Sequence, residues 1–174
     1  MGQIGEMLAA PGRLGQLYAR RLLEGIPHRD AARFARPGGV EVRSNHPVFV
    51  LGHLALYPPR IMEQLGRPVG ASAVPAGYEA LFKAGVDCQD DPDGTIYPAL
   101  PQLMQHFFAS YAVALDALSG AEDAALLAPN PAEGRMRELF PTLGGALAFY
   151  VAAHVFSHLG QVSAWRRAIG LPAA

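Results

Sequence analysis

The sequence predicts an all-α protein, an antiparallel four-helix bundle of the up-down-down-up type whose long connections contain short helices. Three observations carry that expectation. Four principal segments repeat apolar residues every three or four positions, no stretch shows sustained strand alternation, and Pro- and Gly-containing connections separate the four segments. At 174 residues the chain is the size of one domain, 1–174, which can bury roughly 70% of its unfolded surface.

The first helix is expected over Pro11 to Glu24, where Leu14, Leu17, Tyr18 and Leu22 share a face. A loop follows over Pro27 to Gly39. Ser44-Asn45-His46-Pro47 supplies a polar cap with Pro near the first helical position, and the apolar run Val48 to Tyr57 forms the second helix. Pro58-Pro59 must break or kink it, with a short helix resuming from Ile61 to Leu65. Residues 66 to 98 form a long connection in which only Tyr78 to Lys83 is helical. The fourth helix opens at Pro98 or Pro101, carries a seam of Leu100, Met104, Phe107, Tyr111, Leu115 and Leu118, and ends at Gly120. After a polar connection with Pro129, Pro131 and Pro141, Thr142 caps a last helix from Leu143 to Ile169, stopped by Gly170 and Pro172.

Composition narrows the function classes. Hydrophobic residues make up 51% and charged residues 17%, which excludes disorder. The 14 basic and 15 acidic side chains nearly cancel, so no field exists to hold a nucleic-acid backbone. Cys88 is the single cysteine and lies among Asp87, Asp90 and Asp91, which should raise its pKa. A reduced, cytoplasmic setting is expected. Met1 to Ala10 has no export or lipidation pattern, and the longest apolar run, Ala146 to Ala153, falls short of the ~20 residues that cross a bilayer, so no membrane partner is expected.

The chemistry concentrates on histidine. His154 and His158 stand at i and i+4 on the last helix, so their rings share one face and can converge on one ion. Leu147, Tyr150, Val151, Gln161 and Trp165 continue that face, which points it inward. Two hydrogen-bonded core histidines would give the same pattern. His53, in the apolar Gly52-His53-Leu54-Ala55 stretch of the second helix, is the third candidate if that helix faces the last one. Three neutral imidazoles with an open position describe a catalytic type of metal site and suit Zn²⁺ or Ni²⁺.

These features together resemble the DinB/YfiT-like superfamily of small bacterial metal-binding four-helix bundles. The resemblance rests on the "GHLA" histidine, the "YP" before the fourth helix, and "HVFSHLGQVSAWRRAIGLP", and spans roughly residues 11 to 172. Its most diagnostic part is His154, His158, Gly160, Gln161, Arg166 or Arg167, and Gly170. The resemblance implies that His53, His154 and His158 bind one divalent metal. It also implies activity as a thiol-dependent S-transferase or isomerase that uses a low-molecular-weight thiol and a small electrophilic substrate. Homodimers, common in that family, are expected through faces away from the metal, given the apolar composition. The alternative is a non-catalytic homodimeric bundle with a structural or sensing metal.

Tyr57, one turn after His53, and Tyr150 and Gln161, to either side of the pair, are the polar groups best placed to line a substrate site or orient an imidazole. His46 reads as a helix cap, His106 as a surface residue and His28 as a loop residue. Asp91-Pro92-Asp93-Gly94 reads as a turn, because Gln89 and Leu100 occupy the first and twelfth positions of a would-be calcium loop. Val155 removes the Glu of a His-Glu-x-x-His protease, and no Glu-x-x-His pair exists for a di-iron bundle. Opposed haem ligation is disfavoured by the adjacent i, i+4 pair. With no Gly-x-Ser-x-Gly elbow, no phosphate-cradling Gly-rich motif and no activated Cys, a nucleophile from the protein is not expected.

Overall fold

The computed structural model describes residues 2–174. Among them the chain is all-α, with no strand and only two isolated bridges, Ala35 to Val42 and Pro129 to Thr142. The helices are α1 (Gln3–Leu23), α2 (Pro47–Leu54), α3 (Pro58–Gln64), α4 (Tyr78–Phe82), α5 (Leu100–Ser119), α6 (Asp123–Leu127), α7 (Arg135–Leu139), α8 (Leu143–Ala148) and α9 (His154–Ala168). A π-helical turn, Phe149–Ala153, joins α8 to α9 without a break.

Helix α1 departs most from expectation. It starts eight residues before Pro11, because its first N–H groups are capped from a distant part of the chain: the Asp123 carboxylate accepts from Gln3 N at 3.3 Å and Ile4 N at 2.9 Å. Its buried face is Gly5, Ala9, Gly12, Gly15 and Ala19 with Leu22 and Leu23, whereas Leu14 and Leu17 are 58% and 60% exposed. The cause is close packing on α5 and α9. A Cβ at Gly12 would collide with the Leu115 side chain of α5, so the inner face admits only small residues until the helix end.

The expected break at Pro58-Pro59 is the start of a helix. α2 stops at Leu54, and the two prolines occupy the first turn of α3, where missing N–H groups leave nothing unpaired. α2 packs against both α5 and α9, and α1 packs against the same two helices from another side. The second helix therefore faces the last one. The apolar core follows this arrangement: one cluster joins Leu22, Leu51, Leu54, Phe82, Leu103, Phe107, Leu159 and Trp165, and another joins Ile61, Leu115, Leu118, Leu147 and Val151. The composite helix Leu143–Ala168 has the length and apolar content of a membrane span, but half of its most apolar window is buried against the other helices, so that content serves the core.

Polar groups fix the connections. The Asp91 carboxylate accepts from the N–H groups of Thr95, Ile96 and Tyr97, which makes the Asp91 to Gly94 segment a closed turn, as its sequence indicates. Thr142 Oγ1 accepts from Gly145 N, the expected cap of the last helix. Arg166, buried, donates to the carbonyls of Leu22, Glu24 and Pro172, tying the end of α1 and the C-terminal tail to α9. Arg167 beside it is exposed.

Candidate metal centre

Two elements deliver the three histidines. On α9, His154 and His158 are one turn apart, with ring centroids 4.6 Å from each other. On α2, His53 is buried at the helix face that meets α9, and its ring lies 5.1 Å from His154 and 4.6 Å from His158. One ligand nitrogen from each ring fits within 4.8 Å of the other two. The Nε2 atoms of His53 and His154 are 3.2 Å apart. Two nitrogens bound at ~2.05 Å to one tetrahedral ion stand about 3.3 Å apart, so this pair already has the spacing of co-ligands.

Hydrogen bonds on the far side of two rings set their tautomers. His53 Nδ1 lies 2.8 Å from the Phe82 carbonyl, which can only accept, so Nδ1 carries the proton and Nε2 presents a lone pair. His158 Nδ1 donates likewise to Gln161 Oε1 at 3.0 Å, and that oxygen is held by Asn45 Nδ2 at 3.1 Å. The third ring has no such support: His154 Nδ1 is buried with no hydrogen-bond partner in the protein. Burial lowers the pKa of all three imidazoles. His154 is driven down to about 3 by burial first and by the neighbouring His158 and His53 second. At neutral pH the cluster is uncharged, which is the form that can donate lone pairs.

The three rings lie in a cavity of about 340 Å³ lined also by Asn45, Phe49, Tyr57, Lys83 and the Ala84 to Val86 segment. Tyr57 lies against His154, with centroids 4.3 Å apart, and burial raises its hydroxyl pKa. Tyr150 packs behind Tyr57 at 5.3 Å and Gln161 behind His158, so of the three polar residues singled out in the sequence Tyr57 alone is on the cavity wall. Lys83, Asn45 and the Phe82 carbonyl were not anticipated. Asn45 had a signal, the polar run before Pro47, but it reads as a helix cap. A main-chain carbonyl has no sequence signature.

The other histidines separate cleanly. His46 is buried and uses both nitrogens structurally: Nδ1 accepts from Phe49 N at 3.1 Å, the expected cap, and Nε2 donates to the Gln89 carbonyl at 3.0 Å. His106 is half-buried, because Tyr78 of α4 lies edge-on against it at 5.7 Å. That corrects the expectation of a surface residue. His28 is exposed in a loop. Burial pushes the Cys88 thiol up to about 11, so it is no nucleophile near neutral pH.

Comparison of the chain with protein-family models, with curated proteins and with solved structures finds no match.

Proposed function

We propose that this chain is a divalent-metal protein of the DinB/YfiT-like kind, an antiparallel four-helix bundle. In this reading it acts in the cytoplasm as a metal-dependent enzyme that joins a low-molecular-weight thiol to a small electrophile or uses the thiol to isomerise one. The observation that supports it is the convergence of three neutral imidazoles on a cavity with room for a small molecule. The donor set fits Zn²⁺ or Ni²⁺: three nitrogens, two with fixed tautomers, and none of the exposed carboxylates that Mg²⁺ or Ca²⁺ prefers.

A bound divalent cation favours deprotonation of a thiol at neutral pH. The chain's own residues do the rest. His53 and His158 are held rigid by the Phe82 carbonyl and Gln161. Phe49 and Val86 give the cavity apolar walls that limit water beside a thiolate. Tyr57, kept neutral by its raised pKa, is a hydroxyl donor beside the histidines for an oxygen of the electrophile. Lys83, the single lysine of the chain, sets a positive charge on the wall that attracts an anionic group of substrate or thiol.

The alternative of a structural metal is less well supported, because a structural site is closed by a fourth protein ligand and no fourth His, Cys, Asp or Glu joins the cluster among the described residues. The test is metal analysis of untagged protein, followed by assay of the metal-loaded chain with a monothiol and an electrophilic acceptor, beside His53→Ala, His154→Ala and His158→Ala. Loss of bound metal and of thiol transfer together in all three supports the reading. Stoichiometric metal with no thiol consumption would leave the non-catalytic alternative, and undiminished affinity in His53→Ala would remove α2 from the site.

A further inference from the structure

Residues 77–86, which comprise α4 and the turn after it, supply one wall of the histidine cavity and have few ties to the rest of the fold. Their main-chain hydrogen bonds are local: Tyr78 N donates to Pro75 O, Leu81 N to Gly77 O, Lys83 N to Glu79 O and Val86 N to Lys83 O. Among the described residues the only hydrogen bond that leaves the segment for another helix is the one from His53 Nδ1 to the Phe82 carbonyl. An exposed ion pair adds little, with Arg60 Nη2 3.8 Å from Glu79 Oε1. Gly77 and Gly85 stand near the two ends at φ +86° and +89°, with open space where a Cβ would point. Each is a joint that glycine adopts without strain. The chain just beyond is held far more firmly: Gln89 N donates to the Tyr97 hydroxyl at 2.9 Å, and the Gln89 carbonyl accepts from His46 Nε2 at 3.0 Å.

Two aromatic anchors hold the segment down, and they are not equally suited to it. Phe82 is fully buried and wholly apolar, stacked on Tyr97 at 5.6 Å and edge-on to Phe49 at 5.9 Å. It favours the closed position without reserve. Tyr78 is buried as deeply, yet its hydroxyl has no hydrogen-bond partner in the protein. Its ring stands edge-on to His106 of α5 at 5.7 Å, and His106 Nε2 is buried without a partner as well. Water would satisfy both atoms if α4 moved away, so each unpaired group weakens the closed position by about tenfold. The same movement would lift Lys83, Ala84, Gly85 and Val86 from the cavity and take the Phe82 carbonyl away from His53 Nδ1. Opening at Tyr78 is therefore coupled to the exposure of His53, which is buried while the segment is closed.

We propose that residues 77–86 are a strap that opens over the histidine cavity, jointed at Gly77 and Gly85, and that the unpaired Tyr78 and His106 atoms keep it easy to open. That a metal ion or substrate enters beneath it rests on the metal-centre reading; the opening itself does not. The test uses the full-length chain without metal and reads two rates. One is amide hydrogen exchange at Leu81, Lys83 and Val86, and the other is modification of His53 by diethyl pyrocarbonate, with exposed His28 as the internal reference. In wild type the strap amides should exchange about 100-fold faster than the buried amides of α5 and α9, by local opening. Tyr78→Phe removes an unpaired hydroxyl and keeps the ring, so it should slow both rates about tenfold, and His106→Leu should act in the same direction. Gly85→Ala strains the closed joint and should speed both. Exchange of the strap only with global unfolding would overturn the proposal, as would unchanged or faster exchange in Tyr78→Phe, the sign of a hydroxyl bonded to buried water. So would His53 modification that does not follow the exchange. A wild type that shows the strap behaviour but binds no Zn²⁺ would sink the metal-centre reading alone.

Discussion

Gln161 fixes the ring of His158: the imidazole Nδ1–H donates to Gln161 Oε1 at 3.0 Å, and the same oxygen accepts from Asn45 Nδ2 at 3.1 Å. A residue of α9, its neighbour one turn on, and a residue just before α2 are thus locked in one chain of hydrogen bonds. Such outer partners hold the tautomer and direction of a metal-ligating imidazole. Gln161→Leu is expected to weaken divalent-metal affinity by about 10- to 100-fold while leaving the helical fold in place, because Gln161 is only half-buried. Competition against a chelator of known affinity measures it, and an unchanged Kd would show that the His158 ring needs no such partner.

His46 gives the fold a defined acid limit. Its folded-state pKa is lowered from the ordinary 6.5 to about 4, chiefly by burial. Above about pH 6.5 the ring is neutral whether the chain is folded or not, and its cap on α2 contributes in full. As pH falls toward 4 the unfolded chain takes up a proton that the folded chain refuses, so stability drops, by about 3 kcal/mol in all at about 1.4 kcal/mol per unit. His46→Asn keeps a capping acceptor without the titration. Urea denaturation of metal-free protein at about pH 7, 6 and 5 should show a pH slope that becomes shallower in this variant as pH falls, by nearly one proton at about pH 5. His53, His106, His154 and His158 contribute to the acid sensitivity that remains, since their pKa values are lowered in the same direction.

Arg166 is a buried cation whose partners are main-chain carbonyls. It is 6% exposed and donates to Leu22 O at 3.0 Å, to Pro172 O at 2.7 Å and to Glu24 O, at the carbonyl-rich end of α1. Arg166→Ala would leave these acceptors without a donor and should cost about 2–4 kcal/mol. Arg166→Lys should recover only part of that, since a single ammonium cannot reproduce the guanidinium fork. Arg167→Ala, at an exposed position, should stay within about 0.5 kcal/mol of wild type in the same denaturant titration.

What the sequence made legible follows from where the information sits. The His154 and His158 pair could be read because helical spacing alone puts both on the stripe with Leu147, Val151 and Trp165, all of them buried. His53 could be added once the second helix was set against the last, which α2 and α9 do. The first eight residues of α1 could not be read, because their cap is Asp123, far along the chain, and Pro11 looks like a beginning. Leu14 and Leu17, though not Leu22, were placed on the wrong face of α1 for a related reason. Periodicity reports where large apolar residues fall, and here close helix contact reserves the inside for Gly and Ala. The π turn at Phe149–Ala153, which sets the register between Tyr150 and His154, has no compositional mark, and it lies directly before His154.

Gly52 couples the packing of the core to the histidine cluster. A Cβ built there would lie 2.5 Å from each of three ring carbons of Phe82, whose side chain is fully buried. The ring would have to move, and with it the Phe82 carbonyl that accepts the Nδ1 proton of His53 at 2.8 Å. Gly52→Ala is therefore expected to destabilise the fold by about 1–3 kcal/mol, although alanine is the better helix former, and to weaken metal binding in the same variant. Gly160→Ala is the matched control: Gly160 lies in α9, two residues beyond His158, and an added methyl there meets nothing within 4 Å. That change should raise stability by about 1 kcal/mol through helix propensity and leave metal affinity unchanged. Adding Phe82→Leu to Gly52→Ala should restore part of both losses, so that the two substitutions together cost less than their sum. Strictly additive losses would mean that the glycine and the ring are not in steric contact and that His53 is positioned by other means.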